Sequence, residues 1–557
     1  MTKFRKMGVA LLVFVLIMST MTSSVLACTS LGMGKDATAD GSVMLSHTCD
    51  GWYDHRIQVI PGGTHEEGEM VDIYRDPCID TKPGYEPKLV GQIPQVKETY
   101  TYFHTGYPFM NDQQLMISEY TWSGRSDMGN SEALFVIANL EILALQRTAT
   151  AREAVELMGA LAEEYGYADG GETLIVGDEN EVWVFEICGP GPLWTKDSGA
   201  PGAHWAAQRV PDDSFFVGAN RSRIGVIDFE DKDNFLYSTD ITKMAEAMGW
   251  YKAGEEFHYG YTFNPEPYSQ PFYASRREWR ALNLLAPSQK FDVATKYTHY
   301  PFAVKPDEKI SVQTISDLYS DHYEGTPYDM TTGLAAGAFG NPTRWGVKGD
   351  QKTEDMNGYD WERPIALYRC SYSFISQARS WMPDEVGGVL WFGQDSPDTT
   401  VYVPIYCSTT ETPESWRNEN RETFDPNSAW WAFNLVNNWA SLQWDAMYPV
   451  IRAEKAKLES DLFLVQPHVE EIALELYEED PAEAVTFLTA YTNNTMLAVE
   501  DAWWDFAWRL IGSFNDGLAV DVNGESYTPG YPTEFLEAVD YGDLQKEEFE
   551  ALTPDAK

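Results

Sequence analysis

Cys28 restricts the fold of this chain more than any other residue, because it directly follows a predicted signal-peptide cleavage site. The leader has basic residues at positions 3, 5 and 6, an apolar core over residues 9–18 that is too short to span a membrane, and the small-residue site Val25-x-Ala27. We predict that residues 1–27 are a signal peptide and that the protein is exported to the medium, the periplasm or the cell surface. Cleavage after Ala27 would then make Cys28 the first residue of the mature chain.

Two fates are open for an exposed Cys28, and they exclude each other. An α-amine has a reference pKa of about 7.7–8.0 and can accept a proton, while a thiolate is a strong nucleophile, so the residue can supply both base and nucleophile for hydrolysis. The same leader also resembles a lipoprotein box, in which the cysteine after the cut is acylated. Leu26 fits that box less well than a small residue would, which favours ordinary cleavage.

Composition limits the partners of the chain. Of its 557 residues 43% are hydrophobic and 14% aromatic, enough for a large buried core. The net charge of −46 argues against nucleic acids and anionic lipids, whose phosphates need clustered Lys and Arg. No second apolar stretch reaches the roughly 18 residues of a bilayer span, so we expect no membrane span after cleavage.

Cysteine and histidine spacing predicts no metal or cofactor. The chain contains no CxxC and no HExxH. If Cys28 is catalytic, an odd number of cysteines remains, so at least one thiol is free, and the pairing stays open. The six cysteines are Cys28, Cys49, Cys78, Cys188, Cys370 and Cys407.

Helices and antiparallel strands alternate without a regular βαβ period, which indicates an α+β fold. A buried hairpin is predicted to begin at Cys28, turn at residues 39–42 and return through residues 43–47. Further expected elements are a strand at 114–121, helix at 143–165 with a break at Thr150, a hairpin at 172–187, short strands at 204–207, 215–219, 386–391 and 400–405, and helix from 427 to 513 with a break at Asp480-Pro481.

A set of short segments, spread over most of the mature chain, carries a family resemblance through its order and spacing. Together the segments resemble the C69 family of dipeptidases, which are N-terminal nucleophile hydrolases. The segments are Cys28–Leu31, Asp40–Val43, Ser46–Gly51, Ile117–Thr121, Ala144–Arg147, Thr150–Ala154, Glu163–Gly166, Glu181–Glu186, Trp205–Asp212, Ala219–Arg221, Gly387–Trp391 and Tyr402–Pro404.

The resemblance implies an αββα sandwich whose central strands present the N-terminal cysteine, with a mainly helical C-terminal region. The catalytic domain would cover residues 28–425, with a loop-rich insertion at about 230–360, and residues 426–557 would pack on it. The implied reaction is metal-free hydrolysis of dipeptides through a thioester on Cys28. The alternatives are an acyl-amide hydrolase of the penicillin or bile-salt amidase type, and a non-catalytic lipoprotein acylated on Cys28.

The predicted catalytic residues are Cys28, Asp50 and Asn220. The hairpin that starts at Cys28 turns about midway to Asp50, so Asp50 can return to the cysteine and orient it, although Asp50-Gly51 also suits an ordinary turn. Related amidases place an arginine and an aspartate after this hairpin, but His47 occupies the arginine position, which leaves the electrostatic support of the thiolate open. Asn220 is assigned to the oxyanion hole by analogy, against a plain strand-end role.

The predicted substrate-binding residues are His47, Glu119, Thr121, Arg209 and Arg221. His47 is expected to act behind the nucleophile, and to be mostly neutral unless a carboxylate such as Asp50 raises its pKa. Glu119 and Thr121 could bind a free amine of the substrate or only pair strands. Either arginine could bind a substrate carboxylate or hold internal carboxylates. The expected partner is a small peptide, and a homo-oligomer through the helical C-terminal third stays open.

Overall fold

The computed structural model describes residues 28–75, 77, 87–122, 124–265, 273–293, 300–344, 363–418, 421–540 and 552. The predicted signal peptide and Cys78 lie outside these residues. The strands are β1 (Thr29–Met33), β2 (Val43–Asp50), β3 (Gln58–Ile60), β4 (Gly63–Thr64), β5 (Met70–Arg75), β6 (Lys88–Pro94), β7 (Glu98–Thr99), β8 (Tyr102–His104), β9 (Pro108–Asn111), β10 (Met116–Thr121), β11 (Glu172–Gly177), β12 (Val182–Cys188), β13 (His204–Val210), β14 (Phe215–Gly218), β15 (Phe235–Tyr237), β16 (Cys370–Ala378), β17 (Val389–Gln394), β18 (Val403–Tyr406), β19 (Ala519–Val520) and β20 (Ser526–Tyr527).

Among the described helices, the two longest follow each other in the C-terminal third, at Trp444–Glu479 and Pro481–Ser513. Short 3₁₀ turns lie at Pro287–Gln289, Leu334–Phe339 and Glu414–Arg417. The α-helices are α1 (Ile137–Arg147), α2 (Ala151–Tyr165), α3 (Ile241–Ala247), α4 (Tyr259–Phe263), α5 (Ser275–Leu285), α6 (Val312–Leu318), α7 (Asp384–Gly387), α8 (Ala429–Ala440), α9 (Trp444–Glu479), α10 (Pro481–Ser513) and α11 (Thr533–Ala538).

The hairpin predicted at the start of the mature chain is present as β1 and β2. Its turn is held by Asp40, whose carboxylate accepts hydrogen bonds from the backbone N–H and the hydroxyl of Ser42 at 3.1 and 2.6 Å. Gly41 has a φ of 89°, a backbone conformation that suits glycine. The register pairs Thr29 with Thr48, so the return strand ends beside Cys28.

Two antiparallel sheets form the centre of the molecule and confirm the α+β prediction. The six-stranded sheet has the order β14-β1-β2-β16-β17-β18, and the eight-stranded sheet has the order β15-β13-β12-β11-β10-β9-β8-β3. They face each other where β1 and β2 contact β10 and β11. Gly32 allows this approach, because a Cβ there would lie 2.8 Å from Ile175 of the opposite sheet. Strand β16, which the sequence reading missed, pairs along β2 next to the hairpin.

Helices cover the outer faces of both sheets. Helices α1 and α2 contact strands of the eight-stranded sheet, and α2 shows the predicted N-cap, in which Thr150 accepts a hydrogen bond from the Glu153 N–H. On the six-stranded sheet, Leu31 and Met33 point outward into a buried cluster that also contains residues of α5, α6, α9 and α10. The alternation of β1 therefore places Cys28 and Ser30 on the face toward the other sheet.

The C-terminal third is helical as predicted, with the break at Asp480. The Asp480 side chain caps α10 by accepting from the Ala482 N–H at 3.0 Å, and Pro481 occupies the first helical turn. Helices α9 and α10 pack on each other and on β18. None of the described helices is long and apolar enough to cross a bilayer. The domain boundaries at 425 and the insertion at 230–360 stay predictions, although α3 to α6 supply short helices within the described part of that insertion.

A buried histidine ties α9 to the sheet core and gives a testable dependence of stability on pH. His322 lies within hydrogen-bond distance of Glu324 at 3.0 Å and Asp398 at 3.1 Å, and against the rings of Trp444 and Tyr448. Burial alone would lower the pKa of His322, but hydrogen bonds to Asp398 and Glu324 raise it to about 9. The imidazolium therefore stabilises the fold fully below its unfolded pKa of about 6.5, and this contribution is lost as the pH rises through about 9.

We expect His322→Gln to lower the free energy of unfolding by about 2 kcal/mol at pH 6, because the variant leaves Asp398 buried without its cation. The deficit should shrink at about pH 9.5, where the wild-type imidazole is neutral. Urea unfolding of both proteins at the two pH values measures it. His468→Gln is the control, since that ring is exposed. A deficit that does not change with pH would contradict this account.

Candidate active site

Cys28 directly precedes β1 and is buried between the two sheets, with 1% of its surface exposed. Its thiol donates a hydrogen bond to Glu119 Oε1 at 3.0 Å, and its carbonyl oxygen accepts from the Arg277 guanidinium at 2.8 Å. Burial raises the pKa of the Cys28 thiol well above its usual value, and Cys49, Glu119 and Asp50 raise it further. The thiol is therefore neutral at rest, and attack requires a group that takes its proton.

Asp50, at the end of β2, comes close to the start of β1 as the hairpin geometry predicts. Asp50 Oδ2 accepts from the Thr48 hydroxyl at 3.0 Å, and Thr48 in turn accepts from the Thr29 backbone N–H at 3.1 Å. The same carboxylate forms a buried ion pair with Arg363. Burial raises the pKa of Asp50, while Arg363 and Arg277 oppose the rise. The aspartate is thus linked to the residue after Cys28 through one hydroxyl.

Asn220 lies at the opposite edge of the same group of side chains, two residues after the end of β14. Its φ of 59° is left-handed, which asparagine tolerates better than most residues. Its Oδ1 accepts from Arg277 at 2.6 Å and from Arg363 at 3.2 Å, and its Nδ2 donates to the Thr121 carbonyl at 2.8 Å. An amide nitrogen has two protons, so Asn220 keeps one further donor beside the one that Thr121 accepts.

Arg277 and Arg363 are the site residues that sequence reasoning missed. Arg277, on α5, donates to the Cys28 carbonyl and to Thr29 Oγ1 at 2.9 Å, and burial with the nearby Arg363 lowers its pKa to about 10. Arg363 donates to the Tyr273 hydroxyl at 2.9 Å, and both guanidinium groups lie over the Tyr273 ring. The sequence left open which positive charge supports this site, because His47 stands where relatives have an arginine. Arg277 and Arg363 supply positive charge near Asp50, and both come from segments far away in the sequence.

Of these two arginines, only Arg277 could have been recognised as unusual from the sequence. It shares a helix face with Ala281 and Leu285, both buried, so a charge occupies a position where the helical period calls for an apolar residue. Such a charge is buried only with partners, which marks it as structural or functional. Arg363 follows a segment outside the described residues and has no periodic neighbours that point to it.

His47 is a buried, neutral residue close to Cys28, and its ring contacts Glu119 and Ser30 rather than forming an ion pair with Asp50. Burial lowers its pKa to about 3, although a hydrogen bond to the Glu119 backbone opposes this. Its Nδ1 lies 3.0 Å from the Glu119 carbonyl oxygen and 3.2 Å from Ser30 Oγ, and its ring packs against Phe374. The expectation that His47 acts from behind the nucleophile agrees with this position, and its role stays a prediction.

Glu119, on β10, is the carboxylate in direct contact with the Cys28 thiol. Burial raises the pKa of Glu119 to about 7; hydrogen bonds to the Cys28 thiol and to Glu172 oppose this rise, and the charge of Asp50 adds to it. Burial, together with the charge of Glu119, raises the pKa of two further carboxyl groups, those of Glu172 and Glu141. Neither oxygen of Glu141 has a hydrogen-bond partner among the described residues. Thr121, two residues along β10, bonds Glu172 through its hydroxyl and accepts from Asn220 through its carbonyl.

Comparison with known proteins agrees with the resemblance found in the sequence. The profile of Peptidase family C69 matches residues 27–457. The chain belongs to this family. A probable dipeptidase of Latilactobacillus sakei is 28% identical over 513 residues, which cover 87% of this chain and 95% of that protein. A probable dipeptidase B of Lactococcus lactis subsp. lactis is 28% identical over 73% of this chain and 79% of its own length. Dipeptidase A of Lactobacillus helveticus is 26% identical, over 73% and 81%.

Arg209 and Arg221 are held by carboxylates of this C69 chain itself. Arg209 donates to Glu181 at 2.8 Å and to Asp212 at 2.5 Å. Arg221 forms a buried pair with Glu278 of α5. The sequence allowed each arginine either to bind a substrate carboxylate or to hold internal carboxylates, and these contacts favour the second role. Substrate binding by either arginine stays a prediction. In this C69 site, the pair of cations that surrounds Cys28 is Arg277 and Arg363.

Five cysteines of this C69 chain lie among the described residues, and all five are free thiols. One of them, Cys49, lies beside the nucleophile candidate: Cys28, His47 and Cys49 bring their donor atoms within 4.8 Å of one another. This is the group among the described residues that could hold a metal ion.

Proposed function

We propose that the chain is an exported cysteine dipeptidase whose nucleophile, Cys28, becomes the N-terminal residue when residues 1–27 are removed. The observation that carries the proposal is the buried network around Cys28, in which Glu119 contacts the thiol and Arg277 contacts the carbonyl. Three C69 relatives are named as dipeptidases or probable dipeptidases. The two facing sheets with helices outside support a fold of the αββα N-terminal nucleophile type.

In the proposed reaction the free α-amine of Cys28 takes the thiol proton, and the sulfur attacks the scissile carbonyl carbon. The developing oxyanion would be stabilised by the second amide proton of Asn220, which Arg277 and Arg363 orient through Oδ1. The ammonium then returns a proton to the leaving amine, and a thioester remains on Cys28. Water, deprotonated by the same amine, hydrolyses the thioester.

Asp50 and Arg363 position the catalytic residue in this scheme. Asp50 acts on the first strand through Thr48 and the Thr29 N–H, which fixes the peptide plane next to Cys28. Arg363 keeps Asp50 ionised against the cost of burial. His47 positions the backbone of Glu119 through its ring nitrogen. Arg209 and Arg221 stabilise the fold through their ion pairs with Glu181 and Glu278.

The buried carboxylate of Glu119 favours a substrate with a free amine over an acyl amide. A dipeptide carries an α-ammonium group close to its scissile bond, and an ammonium buried beside a carboxylate forms a charge-assisted hydrogen bond. Bile-salt conjugates, and penicillins whose side chain lacks an amino group, carry no such cation on the acyl side. We therefore assign Glu119 to the substrate ammonium, with Thr121 and Glu172 behind it.

We expect Glu119→Gln to lower kcat/KM for unblocked dipeptides by about 100- to 1000-fold, because the substrate ammonium loses its buried counter-charge. N-acetylated dipeptides should lose far less. In the wild type, kcat/KM should rise with pH through about 7 as Glu119 ionises, and rise again as the α-amine of Cys28 loses its proton. The variant should lose only the first of these two rises. Steady-state rates of the processed protein on both substrate classes measure these effects.

Glu181→Gln is the matched control, because Glu181 pairs with Arg209 rather than with Cys28. It should leave the rates unchanged. An equal loss on blocked and unblocked dipeptides in Glu119→Gln would contradict the ammonium assignment. Preferred hydrolysis of penicillins or bile-salt conjugates would instead favour the acyl-amide hydrolase, and no hydrolysis with an acylated Cys28 would favour the lipoprotein.

A further inference from the structure

The second cysteine of the site has no role in the proposed reaction. Cys49, on β2, is fully buried, and its sulfur lies within 4.8 Å of the Cys28 sulfur. Together with a ring nitrogen of His47, the two sulfurs form a group whose donor atoms all lie within 4.8 Å of one another. Two thiols and one imidazole are the donor types that zinc and other thiophilic cations prefer in proteins.

The contacts of His47 determine which of its ring nitrogens carries the proton and which is left with a lone pair that can bind a cation. The Ser30 hydroxyl donates to the Glu119 carbonyl at 2.7 Å, so Ser30 Oγ can only accept from the histidine. His47 Nδ1 lies 3.0 Å from the same carbonyl, which accepts and never donates. Nδ1 therefore carries the proton, and Nε2 carries the lone pair. A backbone carbonyl that accepts from the other ring nitrogen is the usual support of a histidine that binds a metal.

His47 Nε2 is buried and has no hydrogen-bond partner among the described residues. It lies 3.7 Å from Glu119 Oε1, the oxygen that also accepts from the Cys28 thiol at 3.0 Å. Glu119 thus offers an oxygen close to both Cys28 and His47, although it lies outside the group of three whose donor atoms are all within 4.8 Å of one another. Tetrahedral zinc sites combine such thiolate, imidazole and carboxylate donors, with bonds of about 2.0–2.3 Å.

We propose that Cys28, Cys49 and His47, with Glu119 as the fourth ligand, bind a thiophilic divalent cation that reversibly blocks the nucleophile. Binding of one Zn²⁺ forms two Zn–S bonds, one Zn–N bond and one Zn–O bond, and it releases the two thiol protons, and that of Glu119 where it is protonated, to solvent. The dication cancels the two thiolates, and the Glu119 carboxylate leaves one negative charge on the buried site. No oxidant or reductant takes part. The block of hydrolysis rests on the proposed role of Cys28, whereas cation binding does not.

The test uses the processed protein, kept reduced and freed of metal with a chelator. Titration with Co²⁺ should give one bound ion per chain with a thiolate-to-cobalt charge-transfer band, and Zn²⁺ should displace it. One equivalent of Zn²⁺ should abolish dipeptide hydrolysis, and chelator should restore it. By mass spectrometry, Zn²⁺ should slow the alkylation of both Cys28 and Cys49 relative to the metal-free protein, in which these buried thiols react only when the site opens.

Loss of an outer-shell partner typically weakens metal binding by about 10- to 100-fold, and Cys49→Ser should weaken Zn²⁺ binding by more than this. The inhibition constant for Zn²⁺, measured against the metal-free rate of the same variant, should rise in parallel. Cys188→Ser is the control, since that thiol lies on β12 and contacts His204 and Tyr259 instead. A missing charge-transfer band, unprotected Cys49, or wild-type affinity in Cys49→Ser would overturn the proposal. Because alkylation is read on the wild type, a poorly folding variant would not leave the question open.

Discussion

Replacing Cys28 with serine is expected to lower kcat for dipeptides by about 10⁴-fold or more, while the protein keeps its thermal stability. A serine hydroxyl can preserve the hydrogen bond to Glu119 that the thiol now donates, so the fold around β1 should hold. The hydroxyl is a far weaker nucleophile at neutral pH than the sulfur, and loss of the attacking group removes most of the catalysis in enzymes of this kind. Single-turnover and steady-state rates, with thermal unfolding of the same samples, measure both quantities.

Cys188→Ser is the matched control for this prediction, because it makes the same exchange at another buried thiol. It should leave kcat unchanged. A Cys28→Ser protein that retains more than about a tenth of the wild-type kcat would contradict the dependence of catalysis on the Cys28 sulfur. A loss of activity that comes with an equal loss of folded protein would leave Cys28 as a packing residue only.

Replacing Arg363 with methionine is expected to lower the free energy of unfolding by about 3–5 kcal/mol and to lower kcat/KM by at least about 100-fold. Arg363 forms a buried ion pair with Asp50 and donates to Asn220 Oδ1, so its removal leaves the Asp50 charge without its main compensation. The pKa of Asp50, already raised by burial, should rise further, and the link to Thr29 through Thr48 should weaken. Chemical unfolding and steady-state kinetics check the two effects.

A double variant separates stability from function in this pair. Adding Asp50→Asn to Arg363→Met removes the uncompensated charge, so stability should recover by about 2 kcal/mol or more while activity stays low. Arg209→Met is the matched control, since its pairs with Glu181 and Asp212 are partly exposed and should contribute no more than about 1 kcal/mol. Arg363→Met behaving like Arg209→Met would contradict a supporting role for Arg363.

Local signals in the sequence predicted the elements that carry the nucleophile. The Asp40-Gly41 turn predicted the β1–β2 hairpin, and its length placed Asp50 near Cys28. Periodic apolar residues, a Thr150 cap and the Asp480-Pro481 break predicted the long helices. Each of these features depends on interactions within a few residues, which a single sequence contains.

The rest of the site depends on contacts between distant segments. Strand β16 was missed because Ser371, Ser373 and Ser376 are buried in the sheet, so its polar residues hide a strand that lies inside the core. The interpretation of His47 was incomplete for the same reason: the cations near Asp50 come from Arg277 and Arg363, more than 200 positions away. No local pattern reports such a partner, and only Arg277 stood out as a charge on an apolar helix face.

The most direct test of the account is the mass of the N-terminal peptide of the exported protein, taken by acid quench during turnover of a dipeptide. Acid keeps the α-amine protonated, so an acyl group stays on the sulfur. The account predicts a peptide that begins at Cys28, with a free amine and the first amino acid of the substrate attached as a thioester. A diacylglyceryl group on Cys28, a chain that begins at another residue, or an acyl group on a different side chain would contradict it.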